Sequence, residues 1–208
     1  MNRKFISKSN RVLRKILNSE QNIDILQDFI EAFLNIKIKK IVLNPYLEKN
    51  SKHLPSEENF GIADVRITKQ DGSELNVGIQ IIDGLYIQNK LLIYYAQIHT
   101  NQLEYGENRA VAKTVTINIL DCNYFKTDEY HKKILIQENV KDKSLAETIE
   151  LHVLELPKFY RMGEKKLTKE EAWTSYLRGI LDDDIVKYDK IQKLDNLLNK
   201  YWEEEIME

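Results

Sequence analysis

The feature that most constrains the fold is a pair of β-rich segments on either side of Asp-Gly, in the stretch IADVRITKQDGSELNVGIQII at residues 62–82. Such segments around Asp-Gly indicate a β-hairpin. Two loops fit the sequence. A two-residue turn at Asp71-Gly72 would place Asp64 opposite Ile79, whereas a three-residue loop with Gly72 in the left-handed conformation would place Asp64 opposite Gly78.

Burial distinguishes the two registers, because one face of the hairpin must be apolar. Ala63 and Val65 share one side of the first strand, and Val77, Ile79 and Ile81 share one side of the second. Only the three-residue loop brings these two sets to the same face, so we favour it. It leaves Asp64, Gly78 and Gln80 together on the opposite face.

The remaining periodicity predicts an α/β core of about 160 residues with a helical tail. We expect helices at 22–36, with Asn22 as N-cap, and at 85–105, where Leu85, Leu92, Tyr95, Ile98 and Leu103 form the apolar stripe. Further strands are predicted at KIKKIVLN, at 112–120 in the sheet interior, and at 149–156. Thr168 with Glu171 forms a capping-box pattern that opens the C-terminal helices.

Composition excludes several classes of function. Lys+Arg 31 against Asp+Glu 33 gives a formal net charge of -2, so bulk charge does not indicate nucleic-acid binding, although a local basic groove stays open. Apolar runs fall short of the ~18 residues that span a bilayer, and the amino terminus is interrupted by charges, which predicts a cytoplasmic protein without membrane contact. Cys122 is the single cysteine, so neither an internal disulfide nor a cysteine zinc site can form.

The polar face of the hairpin has the layout of a metal-dependent nuclease centre. In such a centre an acid on one strand and an acid on its hairpin partner hold Mg²⁺, and a lysine or its substitute orients the attacking water. Asp64 on the first strand, with Gly78 and Gln80 as alternate residues on the second, has this layout.

Five segments in order resemble the PD-(D/E)XK nuclease superfamily, within its nuclease-family transposase branch. They are KSNRVLRKILNSEQNIDILQDFIEAFLNI, ADVRITKQDGSELNVGIQ, NKLLIYYAQIHTNQLEYG, VTINILD and ELHVLELPKF. The resemblance implies a restriction-endonuclease-like fold, in which a mixed central sheet is flanked by helices. It predicts a nuclease-like domain at residues 1–160 and a helical extension at 161–208.

The resemblance also assigns roles to the three hairpin residues. Asp64 occupies the position of the family's metal-binding aspartate, and Gln80 occupies the place of the superfamily's lysine. Gly78 stands where the family has its second catalytic acid. One of the two carboxylates is therefore missing, and Mg²⁺ would bind poorly to Asp64 alone.

Three further polar positions depart from the family pattern. Asn10 replaces an aspartate of the opening segment, Lys90 replaces an arginine, and Arg109 replaces a tyrosine. Lys90 and Arg109 are the predicted DNA-contacting residues. Because the apolar framework is kept while these positions change, the pattern predicts a retained scaffold with a degenerate active site.

Three hypotheses follow for function. The first is a transposase-like protein with weak or no DNA cleavage, kept as a DNA-binding or protein-binding remnant. The second is an active Mg²⁺-dependent DNA endonuclease that uses Asp64, Gln80 and a migrated acid such as Glu31, which shares a helical face with Asp24 and Asp28. The third is a non-catalytic assembly module that forms a homodimer through its helical tail. A Mg²⁺ cofactor is expected only under the second.

Other chemistry-bearing residues have structural interpretations. The four histidines share no metal-ligand spacing and are interpreted as structural or surface residues; they are His53, His99, His131 and His152. The acidic run 182–184 is expected to cap the last helix and complement its dipole.

Overall fold

The computed structural model describes residues 12–44, 61–82, 84–102, 111–135, 149–160 and 166–207. These residues form six strands and six α-helices. The strands are β1 (Ile38–Leu43), β2 (Ala63–Lys69), β3 (Glu74–Ile82), β4 (Lys113–Leu120), β5 (His131–Leu135) and β6 (Ile149–Glu155). The helices are α1 (12–17), α2 (Ile23–Leu34), α3 (Ile87–Asn101), α4 (Lys169–Leu177), α5 (Asp183–Val186) and α6 (Asp189–Met207).

The six strands form one mixed sheet in the order β1-β2-β3-β4-β6-β5. Pairing is antiparallel from β1 to β3, parallel from β3 through β4 to β6, and antiparallel between β6 and β5. The mixed sheet flanked by helices agrees with the expected restriction-endonuclease-like fold, and β4 lies in the interior as predicted. Sequence analysis missed β5, whose HKKIL sequence carries the charged residues typical of an edge strand.

The hairpin of β2 and β3 has the register that the burial argument favours. Asp64 pairs with Gly78, and Ala63 pairs with Ile79. The loop is closed by a bond of 2.9 Å from the amide of Lys69 to the carbonyl of Ser73, and Gly72 has φ 84°. A left-handed residue at that place suits glycine, because it has no Cβ to clash with the backbone.

One face of the sheet is apolar and carries most of the core. Ala63, Val65, Val77 and Ile79 are buried there, in one cluster with the inward side of α2 and with residues of α4 and α6. The indole of Trp173 in α4 packs on Phe29 of α2 at a ring-centroid distance of 5.3 Å. The C-terminal helices therefore share the core of the sheet, whereas the division of the chain at residue 160 stays a prediction.

The opposite face of the sheet is covered by α3. Its buried residues are Ile87, Leu91, Tyr94, Tyr95 and Ile98. The predicted stripe is wrong in part, because Leu85 and Leu92 are 70% and 49% exposed. Leu85 precedes the helix, which begins at Ile87 after Tyr86 with φ 54°, and Leu92 lies on its outward side. The predicted Leu103 and the terminal Gly106 lie outside the described residues.

One of the three predicted helix caps forms as expected, and the other two differ from the prediction. The amide of Thr168 donates to Oε2 of Glu171 at 2.7 Å, and its hydroxyl accepts from the amide of Glu171, which confirms the capping box. Asn22 precedes α2 but makes no side-chain cap bond. Asp182 caps the short α5 rather than the last helix, because its carboxylate accepts from the amides of Asp184 and Ile185.

No helix within the described ranges is both long enough and apolar enough to cross a bilayer.

Candidate functional site

Asp64 lies on β2 with its carboxyl fully buried beneath α3. Its Oδ1 accepts a bond of 3.0 Å from Nδ2 of Asn44, and its Oδ2 has no hydrogen-bond partner among the described residues. Burial raises the pKa of Asp64 to about 7, although the bond from Asn44 and the charge of Arg66 act to lower it. The carboxyl is thus held where its charged form is poorly stabilised.

Asn44 connects Asp64 to the neighbouring strand. It follows β1, where its backbone amide donates to the carbonyl of Asp64 at 2.9 Å. Its side-chain amide also donates to Oδ1 of Asn76 at 3.0 Å, and Nδ2 of Asn76 donates to the carbonyl of Ile98 at 3.1 Å. A chain of amide groups therefore ties the end of β1 to β2, β3 and α3.

Gly78 lies directly opposite Asp64 and against α3. A Cβ added at Gly78 would lie 2.0 Å from Cδ1 of Ile98 and 2.9 Å from the hydroxyl oxygen of Tyr94. That hydroxyl donates toward the carbonyl oxygens of Ile79 and Ala63, at 3.0 and 3.1 Å. The space in which a side chain at position 78 would begin is filled by two anchored residues of α3.

Gln80 is buried further along the same face. It lies beside Asn118 in the parallel pair of β3 and β4, and its Nε2 donates to Oδ1 of Asn118 at 2.6 Å. Asn118 in turn donates to the carbonyl of His152 at 2.9 Å and to the hydroxyl of Thr116 at 3.0 Å. The side chain of Gln80 thus bonds to polar groups inside the sheet.

Glu31 is placed away from Asp64. Its Oε1 accepts from the backbone amide of Ile38 at 2.9 Å, and Ile38 pairs with Lys69. Lys69 lies five residues along β2 from Asp64, which corresponds to roughly 16 Å of strand. The structure therefore does not bring Glu31 to Asp64.

The other two acids of the same helix bind the C-terminal helices. Asp24 accepts from Lys190 at 2.7 Å and from Lys193 at 2.8 Å. Asp28 accepts from the indole nitrogen of Trp173 at 3.0 Å and pairs with Lys169. Both carboxylates are engaged in holding α2 against α4 and α6.

Only one of the two predicted DNA-contacting residues lies in the described part of the chain. Lys90 lies in the first turn of α3 and is partly exposed, whereas Arg109 and Asn10 fall outside the described residues. Across the described part of the chain, no three histidine, cysteine, aspartate or glutamate side chains converge to hold a metal ion.

Sequence analysis missed the buried polar layer that surrounds Asp64 and Gln80. The signal was present in β4, where Thr114, Thr116 and Asn118 alternate with apolar residues, and all three are fully buried. The strand was predicted to lie in the sheet interior, but the pattern that places it there does not say which of its polar side chains become hydrogen-bond partners.

Comparison with known proteins gives one match. A family model described as PD-(D/E)XK nuclease family transposase matches residues 10–204, which includes both the hairpin and the C-terminal helices. No curated protein and no solved structure matches the chain significantly. Since the family model covers nearly the whole sequence, the chain belongs to the PD-(D/E)XK nuclease family transposases.

Proposed function

We propose that this chain has kept the nuclease fold of its family and cleaves DNA weakly or not at all. The observation that supports this most is the contact of α3 with Gly78. Ile98 and Tyr94 fill the space where the family's second acid would begin, so the position lacks both the carboxylate and the room for one.

The residues around Asp64 do not fit Mg²⁺. This ion requires near-octahedral oxygen ligands and keeps several of its waters, which need space beside the carboxylate. Asp64 is fully buried, one of its oxygens is bonded to Asn44, and its pKa is raised to about 7 by burial. A buried carboxyl that resists ionisation is a poor ligand for a hard dication, and we derive no metal-dependent step from this site.

The runner-up is an active endonuclease with a migrated acid. It is disfavoured by the placement of Glu31 at the far end of β2, where its carboxylate accepts from the amide of Ile38.

A plasmid-nicking assay with Mg²⁺ or Mn²⁺ separates the two hypotheses. We expect the wild-type protein to nick DNA no faster than Asp64→Ala. Metal-dependent nicking that disappears in Asp64→Ala would instead establish the endonuclease.

DNA is the partner that the family suggests, and we propose that the chain still binds DNA although it cleaves DNA weakly or not at all. A gel shift at increasing salt tests this, because phosphate contacts weaken steeply as salt rises. Lys90→Ala and Arg109→Ala should each reduce the shift, whereas Lys200→Ala on the exposed side of α6 should not.

No shift at low salt would favour the assembly module. Sedimentation would then test the homodimer through the C-terminal helices.

A further inference from the structure

A second cluster of ionisable groups lies at the β5–β6 edge of the sheet, on the apolar face and distant from Asp64 in the register. Its first part centres on Glu150 of β6. The carboxylate of Glu150 accepts from Nζ of Lys113 and from Nζ of Lys133, each at 2.7 Å. Nε2 of His152 lies 2.8 Å from Oε1 of the same carboxylate.

The second part continues from His152 to the C-terminal helices. Nδ1 of His152 lies 2.8 Å from Nε2 of His131 on the neighbouring strand. Nδ1 of His131 lies 2.9 Å from Oε1 of Glu170 in α4, which also accepts from the hydroxyl of Tyr130 at 2.8 Å. One continuous chain of hydrogen bonds thus runs from the sheet to the helix.

The proton on each nitrogen follows from its neighbours. Burial raises the pKa of Glu150, but the bonds from His152, Lys113 and Lys133 hold it well below its usual range, so this carboxylate only accepts. Nε2 of His152 must therefore carry a proton. The three bonds of this chain, to Glu150, between the rings and to Glu170, need three ring protons, one more than two neutral rings carry. Burial lowers the pKa of His152, which favours a neutral His152 with Nδ1 as an acceptor.

His131 then has to donate from both of its nitrogens. Its Nε2 faces the acceptor nitrogen of His152, and its Nδ1 faces the carboxylate of Glu170. Burial raises the pKa of Glu170, but the bonds from His131 and Tyr130 outweigh it and leave the pKa below its ordinary value. A ring that donates from both nitrogens is an imidazolium.

We propose that His131 is a half-buried imidazolium that clamps α4 to the sheet edge, and that loss of its proton loosens this contact. A neutral His131 has one N–H for two acceptors, so either the bond to His152 or the bond to Glu170 must be lost. The clamp would make the docking of the C-terminal helices sensitive to pH. This inference is independent of the proposed loss of cleavage.

The groups around His131 are consistent with a retained cation. From α2 the ring meets Phe33, edge to face at 6.0 Å, which brings no charge. From α4 it meets Glu170, and from β6 it meets His152, with Glu150 behind it. The two lysines that face this cluster are each bonded to Glu150, and Tyr130 is bonded to Glu170.

Side-chain ¹⁵N NMR of the wild-type protein tests the proton assignment directly. Near neutral pH we expect both nitrogens of His131 to be protonated in the folded protein, and His152 to be neutral with its proton on Nε2. A folded His131 that carries a single ring proton there would overturn the proposal.

Urea unfolding as a function of pH tests the consequence. In the Asp64→Asn background, which removes the pH dependence of that buried carboxyl, the midpoint should fall as pH rises, because the folded chain releases a proton that holds the clamp together. His131→Gln should lack this fall, and His99→Gln, which alters a histidine bonded to Thr114 on the other face, should keep it. An equal fall in His131→Gln would contradict the clamp.

Discussion

Cδ1 of Ile98 lies 2.0 Å from the position that a Cβ at residue 78 would take. Gly78 and Ile98 are therefore complementary, since the side chain of Ile98 can take this position only where the strand has no side chain. The same packing buries Asp64 and brings Asn76 within 3.1 Å of the carbonyl of Ile98. The absence of a side chain at position 78 and the burial of the polar face by α3 are two aspects of one arrangement.

Gly78→Ala should destabilise the protein by about 1–3 kcal/mol, because the added methyl group overpacks a full core. Urea unfolding would show this as a lower midpoint with an unchanged slope. Gly84→Ala is the matched control, since a Cβ there would meet only Sγ of Cys122, at 3.9 Å.

Ile98→Val should partly rescue Gly78→Ala. It removes the Cδ1 methyl that the new Cβ would strike, and alone it should cost about 0.5–1.5 kcal/mol. The double variant should therefore be more stable than the sum of the two single losses predicts. Strict additivity in the cycle would show that the two positions do not compete for space.

The stability of the protein should fall between about pH 4 and pH 7 because of Asp64. Its folded-state pKa of about 7 lies above the ordinary 3.8, so in this window the folded protein keeps a proton that the unfolded chain has released. The stability present below the lower value is lost as pH rises, by on the order of 4 kcal/mol. Asparagine cannot ionise, so in Asp64→Asn this position should add no pH dependence to the free energy of unfolding. Above pH 7 the variant should therefore be more stable than the wild type.

Asp71→Asn on the same hairpin is the control for that titration. Bonds from Ser73 lower the pKa of Asp71 to about 2, so its contribution is lost only as pH falls toward that value. Between pH 4 and pH 8 the urea midpoint of Asp71→Asn should therefore fall with pH as steeply as that of the wild type. If the urea midpoint of Asp64→Asn falls with pH equally steeply, the buried carboxyl is not the cause of the fall.

Gln80→Leu should cost about 1–3 kcal/mol, because it leaves the buried Oδ1 of Asn118 without its donor. Gln88→Leu, at an exposed position of α3, should change the urea midpoint little. Equal midpoints for the two variants would show that Gln80 adds nothing to the buried polar layer.

Metal binding should be recoverable only when both the acid and its space are restored. Gly78→Glu alone is expected to lower the urea midpoint and to bind no metal, because its Cβ would strike Cδ1 of the buried Ile98. Gly78→Glu with Ile98→Ala should gain Mn²⁺ binding in calorimetry, and adding Asp64→Ala should abolish the gain. Binding that survives Asp64→Ala would place the metal elsewhere.

The sequence alone predicted the features that depend on residues close to one another along the chain. The Asp-Gly loop and the alternation of Val77, Ile79 and Ile81 specify the register, because a slip by one residue would expose the whole apolar set. The Thr168–Glu171 capping box forms as predicted for the same reason, since its bonds span only three residues.

The rest depends on contacts between distant segments. Closure of the site requires Ile98 and Tyr94 of α3 to face Gly78, and the apolar pattern of α3 is too even to give its phase, as the exposed Leu85 and Leu92 show. The histidine chain was missed because His131 and His152 meet only through strand pairing. Spacing along the sequence carries no information about such neighbours.

The most direct test of the closed site is a Mn²⁺ titration of the wild-type protein followed by electron paramagnetic resonance, with Asp64→Ala in parallel. We predict that the two proteins leave the same amount of free Mn²⁺ at every concentration, because the buried Asp64 carboxyl binds no metal. Uptake of one Mn²⁺ per chain by the wild type, lost in Asp64→Ala, would contradict the account and restore the metal centre of the family to this protein.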